Sequence, residues 1–520
     1  MHQHSIIDTM SYRIDQKVGK HIYVYEVESY WDKDKKQPRQ KRSYLGKKDP
    51  ATGELVSTRK GYECLDYGSY YFLSEVARKS DVQLLLKQIF PDSWQELLHC
   101  VFFEISEKNP LYLCKPWLEC TYHDPPTDLS SQRISELLAE LGQQERERIN
   151  FLKAWAKVHQ ASEYIVFDIT SFSYYGKKLE ELEWGYNRDG EALPQVNLGI
   201  LYGEPSSLPL FYTPYPGSIP DVRTLQNMVE ILEWLELSTA LFVLDRGFFS
   251  SYNLKRMNER MRFVIPFSFS NKKALELIKK HKRDLAVHSN AFRLNKQLWY
   301  GVQDRVQIGE GRYSCYVYLN EKLRAEERER FLSQVLDIEQ KLQEPAFRSK
   351  EEVEAFLSET FRGWKTIFQI TERDRKPPLV KRKEQGITDR LERMGTMILL
   401  SNRAMEGKEL LYLYRRKDAV EKFFDAVKHE LERKRLRIHT QETFEGRLFL
   451  DFIALILHSW ISNVMRRQRI NKDLSVQELM YELKKIKRIY LGEKKTVLTE
   501  VSKRQRDLFV AFGIEPPRQT

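Results

Sequence analysis

The chain has 520 residues, of which 41% are hydrophobic, 12% aromatic and 31% charged. It is too long for one hydrophobic core and too apolar for wholesale disorder, so about two to four packed domains are expected. A net charge of +11, from 85 Lys and Arg against 74 Asp and Glu, favours a polyanionic partner, nucleic acid first.

Five scattered cysteines (Cys64, Cys100, Cys114, Cys120, Cys315) give no readable disulfide framework and fit a reducing cytoplasm. Cys114, Cys120 and His123 cluster, but not at the spacing of a zinc ribbon or finger, and read as small buried hydrophobes. The opening Met-His-Gln-His-Ser lacks the apolar run of a signal peptide. The longest apolar stretch, 448–457, is short and contains Asp451. It is expected to be a buried core helix, with no membrane partner.

In chain order, residues 20–31 and 39–45 read as two strands around a polar turn at 33–37, a small hairpin. Lys33, Lys35, Lys36, Arg39, Lys41 and Arg42 make it strongly basic, as either a solvated turn or a DNA contact. Residues 62–160 carry apolar positions at helical spacing, interrupted by Pro91, Pro110, Pro116, Pro125 and Pro126, and predict a helical domain. At Tyr164 the pattern becomes α/β. The apolar run Tyr164-Ile165-Val166-Phe167 ends at Asp168 and suits a strand buried on both faces. Strands at 196–202 and 208–213 form a hairpin through Gly203-Glu204-Pro205. Asp221 is the expected N-cap of a helix, and a second buried run, 241–244, leads to Asp245.

Further strands are expected at 262–267, 299–306, 314–319, 365–370 and 397–400, with charged helices around 321–360. A long helix is expected at about 408–436 and an apolar one at 448–465; the tail after Arg466 reads as helical, basic and peripheral. The resulting division is 1–60 basic hairpin region, 61–160 helical DNA-binding domain, 161–261 first part of the core, 262–394 β-rich insertion with helices, 395–465 second part of the core, and 466–520 basic helical C-terminal region.

Phosphodiester chemistry on DNA needs an activated water or hydroxyl and relief of charge on the leaving oxygen. Two metal ions about 4 Å apart do both. Mg²⁺ and Mn²⁺ are hard ions that take carboxylate oxygens, and such sites form at the carboxyl ends of strands in open α/β sheets. Asp168 and Asp245 both stand at such ends. Each alone is a weak signal, since Asp168 also suits an Asx turn and Asp245 a turn ending at Gly247. The third acid is Glu421, on the late helix. Tyr414, Lys417, Glu421 and Lys428 are spaced to project from one helical face, with Arg415 and Arg416 beside them. Val420, Phe424, Val427 and Leu431 form a neighbouring apolar stripe that docks the helix. The face offers one carboxylate flanked by cations and a phenol, which suits a metal ligand with phosphate-gripping neighbours. A solvated, salt-bridged face has the same spacing.

These residues resemble the insertion-sequence DDE transposases, whose ribonuclease-H-like core is interrupted by a β-rich insertion. The signature of that family is an Asp after the first strand, an Asp after the fourth and a Glu in a Tyr-x2-Arg-x3-Glu-x6-Lys helix motif. Asp168, Asp245 and Glu421 match the acids; Tyr414, Glu421 and Lys428 match the helix motif, with Lys417 in place of Arg. The segments 208–217, Asp245-Arg246-Gly247-Phe248, Glu445-Gly446-Arg447 and Tyr44-Leu45-Gly46-Lys47 add to the likeness, which spans about 20–465.

The resemblance implies a multidomain α/β fold, a ribonuclease-H-like mixed sheet flanked by helices, with the insertion occupying most of 262–394. It implies cut-and-paste transposition: nicking at the element end, attack by the freed 3′-hydroxyl, a hairpin intermediate in better-known relatives, and joining to target DNA. Asp168, Asp245 and Glu421 would be catalytic and hold two Mg²⁺ (or Mn²⁺) ions. Tyr414, Lys417, Lys428, Arg415 and Arg416, with Lys35, Lys36, Arg39, Lys41 and Arg42 of the hairpin, would contact double-stranded DNA, both terminal inverted repeats and target. A homodimer in the synaptic complex and a bacterial cytoplasmic, nucleoid-associated location follow from the same likeness. A relative uses Trp to hold a flipped base; Trp299 and Trp364 lie in the matching insertion, although core packing is the common fate of Trp. Two other functions suit the same residues: a metal nuclease that cuts without joining, and a catalytically silent, transposase-derived DNA-binding protein.

Overall fold

Apolar runs too continuous for a half-exposed strand fix the centre of the fold. The computed structural model describes all residues except 1–10, 20, 33–36, 49–52, 54, 57–61, 125–126, 159–163, 174–194, 205, 217–220, 238–239, 344–346, 348, 362, 374–375, 418–439, 492–494 and 519–520. The chain divides into two compact units. One comprises 1–75, 115–128 and 474–520; the other comprises 76–114 and 129–473.

The first unit holds two antiparallel sheets. Strands β1 (Ser11–Val18), β2 (His21–Asp32), β3 (Gln37–Lys48) and β4 (Leu55–Val56) follow one another as a meander. The expected basic hairpin is thus the middle of a four-stranded sheet. β5 (Tyr62–Asp66) forms the edge of a second sheet, whose other strands come from the far end of the chain and are numbered below. The C-terminal tail was expected to be helical and peripheral. Its helices Val476–Lys484 and Lys503–Ala511 exist, each started by a capping box, Ser475 with Glu478 and Ser502 with Gln505. The tail also supplies two strands to the β5 sheet, and Leu479, Leu483, Ile486, Phe509 and Phe512 are buried. Phe512 meets Phe72 edge to face at 4.8 Å. A short charged strand such as Lys487-Arg488-Ile489-Tyr490-Leu491 shows no clean alternation, so its pairing with β5 is invisible locally.

The second unit is built on a nine-stranded mixed sheet. Its strands are β6 (Tyr164–Ser173), β7 (Gln195–Glu204), β8 (Leu208–Pro216), β9 (Leu241–Val243), β10 (Arg262–Pro266), β11 (Ala291–Leu294), β12 (Gln297–Ile308), β13 (Gly311–Leu319) and β16 (Thr396–Ser401). A separate hairpin pairs β14 (Phe368–Arg373) with β15 (Lys376–Arg382). The tail strands of the first unit are β17 (Lys487–Leu491) and β18 (Lys495–Leu498). The large sheet has the order β11-β12-β13-β16-β10-β9-β6-β7-β8. β6, β7 and β8 form an antiparallel meander, while β9 and β10 run parallel to β6. β16, β13, β12 and β11 then extend the same sheet antiparallel.

Most of the expected elements appear with boundaries moved by a few residues. The expected strand at 365–370 begins later, because Trp364–Thr366 closes as a 3-10 turn before β14. The helices Glu321–Gln343 and Lys350–Thr360 and the β14–β15 hairpin share a core of Phe331, Val335, Leu357, Phe361, Trp364 and Ile367. The apolar stretch at 448–457 lies within a longer helix, Gln441–Arg467. At 27 residues this helix is long and apolar enough to cross a membrane, contrary to the expectation from the short run. Yet Phe449, Leu450, Ile453, Ile456, Leu457 and Ile461 are buried within the unit.

Two glycines let that helix pack closely. A Cβ on Gly446 would lie 1.9 Å from the carbonyl oxygen of Leu138, and one on Gly142 would lie 1.8 Å from that of Glu442. The helices Ser131–Gln143 and Gln441–Arg467 therefore meet backbone to backbone. On either side of Gly446, Glu445 faces Arg148 at 3.3 Å and Arg447 pairs with Glu104 at 2.8 Å and Asp451 at 2.7 Å. The Glu-Gly-Arg segment noted in the sequence is thus a packing device. Of the cysteine cluster, Cys114 is buried as expected, but Cys120 is exposed.

Candidate active site

Strand register brings the first two acids level. Val166 of β6 pairs with Val243 of the parallel neighbour β9, and Asp168 and Asp245 each lie two residues further on. Side chains repeat with a period of two along extended chain, and Asp245 keeps extended dihedrals (φ −80°, ψ 161°). Asp168 was expected to end its strand, but β6 runs on to Ser173 because its antiparallel partner β7 continues beside it. Its pairing with β9 stops at Val166, so Asp168 stands where the parallel ladder ends. Asp245 also accepts a hydrogen bond from the backbone N–H of Arg246 at 2.7 Å, capping the turn Arg246–Phe248. The turn cap and the candidate site therefore share one residue.

The third contributor comes from a helix whose described part covers 407–417. Leu410, Leu411 and Leu413 bury its inner face against Val264, Leu399, Trp299, Tyr316 and Tyr318. Two tyrosines of β13 fix its start: the Tyr318 hydroxyl donates to the Gly407 carbonyl at 2.7 Å, and the Tyr316 hydroxyl donates to that of Met405. Lys417, 2% exposed, then places its Nζ 3.4 Å from Asp245 Oδ1 and 3.9 Å from Asp168 Oδ1. Asp168 is buried and Asp245 is half-buried. Two carboxylates and one ammonium thus meet in one place.

The neighbouring cations have distinct settings. Arg416 pairs with the buried Glu204 at 2.7 Å and donates to the Tyr412 hydroxyl at 3.1 Å. Burial works against its charge, but Glu204 and Tyr412 hold its pKa above the ordinary guanidinium value. Arg415 lies over the Trp299 ring, 5.0 Å from its centroid, a cation–π contact. Asp245, Arg246, Trp299, Tyr414 and Arg415 line a cleft of about 530 Å³, walled also by Phe267, Phe269 and Met397. Reading the sequence did not single out Arg246 for a role of its own or find this cleft, because β10 and β16 bring distant segments to one wall. Trp299 is a core residue at the edge of the cleft, and Trp364 belongs to the separate helical core.

Glu421 and Lys428, together with the apolar stripe from Val420 to Leu431, lie outside the described residues, as do Lys35 and Lys36. Arg39, Lys41 and Arg42 are exposed on β3 of the first unit. Among the described residues no three His, Cys, Asp or Glu side chains converge as a metal site. Asp168 and Asp245 supply two hard oxygen donors already gathered about a cation. That donor chemistry fits Mg²⁺ or Mn²⁺.

No curated protein matches the sequence. Similarity to a solved structure, the cryo-EM structure of the piggyBac transposase synaptic complex with hairpin DNA, covers 77% of this chain and 78% of that one, at 10% identity and a TM-score of 0.32. The family model described as the transposase DDE domain matches residues 159–457, a span that holds Asp168, Asp245, Lys417 and the whole nine-stranded sheet. Since that match takes in more than half of the polypeptide, the chain belongs to the transposase DDE domain family.

Proposed function

We propose that this protein is an insertion-sequence transposase that moves DNA by cut-and-paste, cleaving element ends and joining them to target DNA, with Asp168, Asp245 and Glu421 as its catalytic acids. The observation that carries the reading is the level placement of Asp168 and Asp245, each two residues beyond the last parallel pair of β6 and β9, inside the span of the family match. The order β8-β7-β6-β9-β10, an antiparallel meander joined to two parallel strands, supports a ribonuclease-H-like core. In the sequence, Glu421 follows Lys417 by one helical turn's spacing.

Asp168, Asp245 and Glu421 would hold two divalent ions, which neutralise phosphate charge and favour the deprotonated form of the attacking hydroxyl. The chain's own groups bind and orient the substrate. The Arg246 and Arg415 guanidiniums at the cleft can each grip a phosphate through paired N–H donors. Tyr414 offers a hydroxyl on the same wall, beside Phe267, Phe269, Trp299 and Met397. In joining, the 3′-oxygen of the element end forms a bond to a target phosphorus as the target's own 3′-oxygen leaves, so one phosphodiester replaces another. Lys428, Arg416, Lys35, Lys36, Arg39, Lys41 and Arg42 are proposed further DNA contacts. The helical segment 61–160 is proposed to bind DNA, and a homodimer to assemble the two ends, in a bacterial cytoplasm.

The test uses DNA from the flanks of the coding region that carries inverted repeats. Supplied as a pre-cleaved end with plasmid and Mg²⁺, it is expected to give strand-transfer product. Asp168→Asn and Asp245→Asn are each expected to lower cleavage and joining by about 10³-fold or more while DNA binding persists, the scale on which a lost electrostatic catalytic group acts. Cleavage without joining would favour a nuclease, and unchanged cleavage in Asp168→Asn would refute the catalytic assignment.

A further inference from the structure

A buried ammonium needs compensation, and a buried pair of carboxylates needs it more. Lys417, Asp168 and Asp245 meet both needs together, since the buried ammonium faces both carboxylates. The ammonium stands 3.4 Å from Asp245 and 3.9 Å from Asp168, on the oxygens that a divalent cation would use. Lysine also carries its charge on a flexible four-carbon stem, while the helix behind it is fixed by Leu410, Leu411 and Leu413 and by the tyrosines of β13. The charged end can move while its helix stays put. A divalent cation bound by the same oxygens would stand next to Nζ, and like charges that close repel strongly even at the effective dielectric constant of a protein.

We propose that Lys417 is a built-in counter-ion for the Asp168–Asp245 pair, a positioning residue that keeps the two carboxylates facing a common point and yields that place when a divalent cation binds. The inference rests on the proposed reading of the acids as metal ligands. It adds an exchange: metal entry expels the ammonium, which is then free to reach a DNA phosphate in the adjoining cleft. Metal loading and DNA gripping would be linked through one side chain.

Two measurements test this on the full chain, treated with EDTA and then titrated with Ca²⁺ as a non-reactive probe. In the wild-type protein, lysine acylation read by mass spectrometry is expected to modify Lys417 poorly without Ca²⁺ and several-fold faster at saturation. Equal protection with and without Ca²⁺ overturns the proposal, and this arm needs no variant to fold. By calorimetry, Lys417→Met is expected to bind Ca²⁺ about tenfold more tightly, equivalent to ~1.4 kcal/mol, whereas Lys417→Arg keeps its cation and gains nothing comparable. Unchanged or weaker binding by Lys417→Met overturns it. Asp168→Asn separates the two levels of the reading. If Asp168→Asn loses Ca²⁺ binding and Lys417→Met leaves it unchanged, only the counter-ion fails; if wild type and Asp168→Asn behave alike, the metal-site reading fails with it.

Discussion

Among the described residues of the second unit, two buried cations each face a pair of carboxylates, and they differ in the kind of cation and in the distances of these pairs. Around Arg447, Glu104 lies at 2.8 Å and Asp451 at 2.7 Å, with a further hydrogen bond from Nε to Asp451 at 3.0 Å. Burial works against the charge of Arg447, but Asp451 and Glu104 hold its pKa above the usual guanidinium value. Around Lys417 the distances are 3.4 and 3.9 Å. Both cations are 2% exposed, so burial does not separate the clusters. The chemistry of the cation does: a planar guanidinium fork bonds Glu104 and Asp451 and ties the helix Gln441–Arg467 to the helix Trp94–Glu107, whereas an ammonium on a flexible stem can, on the proposed reading, withdraw in favour of a divalent cation. On the proposed reading, the first cluster serves architecture and the second serves exchange.

That contrast can be broken by removing each cation in turn. Arg447→Met removes the buried cation that Glu104 and Asp451 share, and is expected to cost ~3–5 kcal/mol in urea denaturation, with no recovery when Ca²⁺ is added. Lys417→Met is expected to cost less and to regain stability with Ca²⁺. Recovery of both variants, or of neither, would erase the distinction. A smaller effect sharpens it: Gly446→Ala pushes a Cβ into the Leu138 carbonyl beside Arg447, and should cost ~1–3 kcal/mol by overpacking. Ca²⁺ binding should be unaltered in Gly446→Ala, because the tight cluster has no part in it.

Much of the architecture was legible along the chain because burial leaves a local mark. The runs at 164–167 and 241–244 are apolar on both faces, and both became central parallel strands. Asp168 and Asp245 were legible for the same reason, as the first charges after those runs. What stayed hidden depends on partners distant in sequence. β5 and β17 pair across most of the chain's length, and neither alternates cleanly. The membrane-length helix was underestimated because its polar ends, Glu445 and Arg447 among them, find partners only after folding. The pairing of Arg416 with Glu204 was equally unreadable, since Glu204 reads as part of a turn. Lys417 was read from the motif as a phosphate contact; its position between the acids depends on how β13 seats the helix.

Iron-directed self-cleavage tests the convergence of the acids most directly. Fe²⁺ loaded in place of Mg²⁺, with ascorbate and peroxide, cuts backbone near its ligands. Fragments mapping to the neighbourhoods of Asp168, Asp245 and Glu421, all suppressed by excess Mg²⁺, are the expected result. Cuts confined to other segments, or cuts at Asp168 and Asp245 with none near Glu421, would contradict a site built from these three residues.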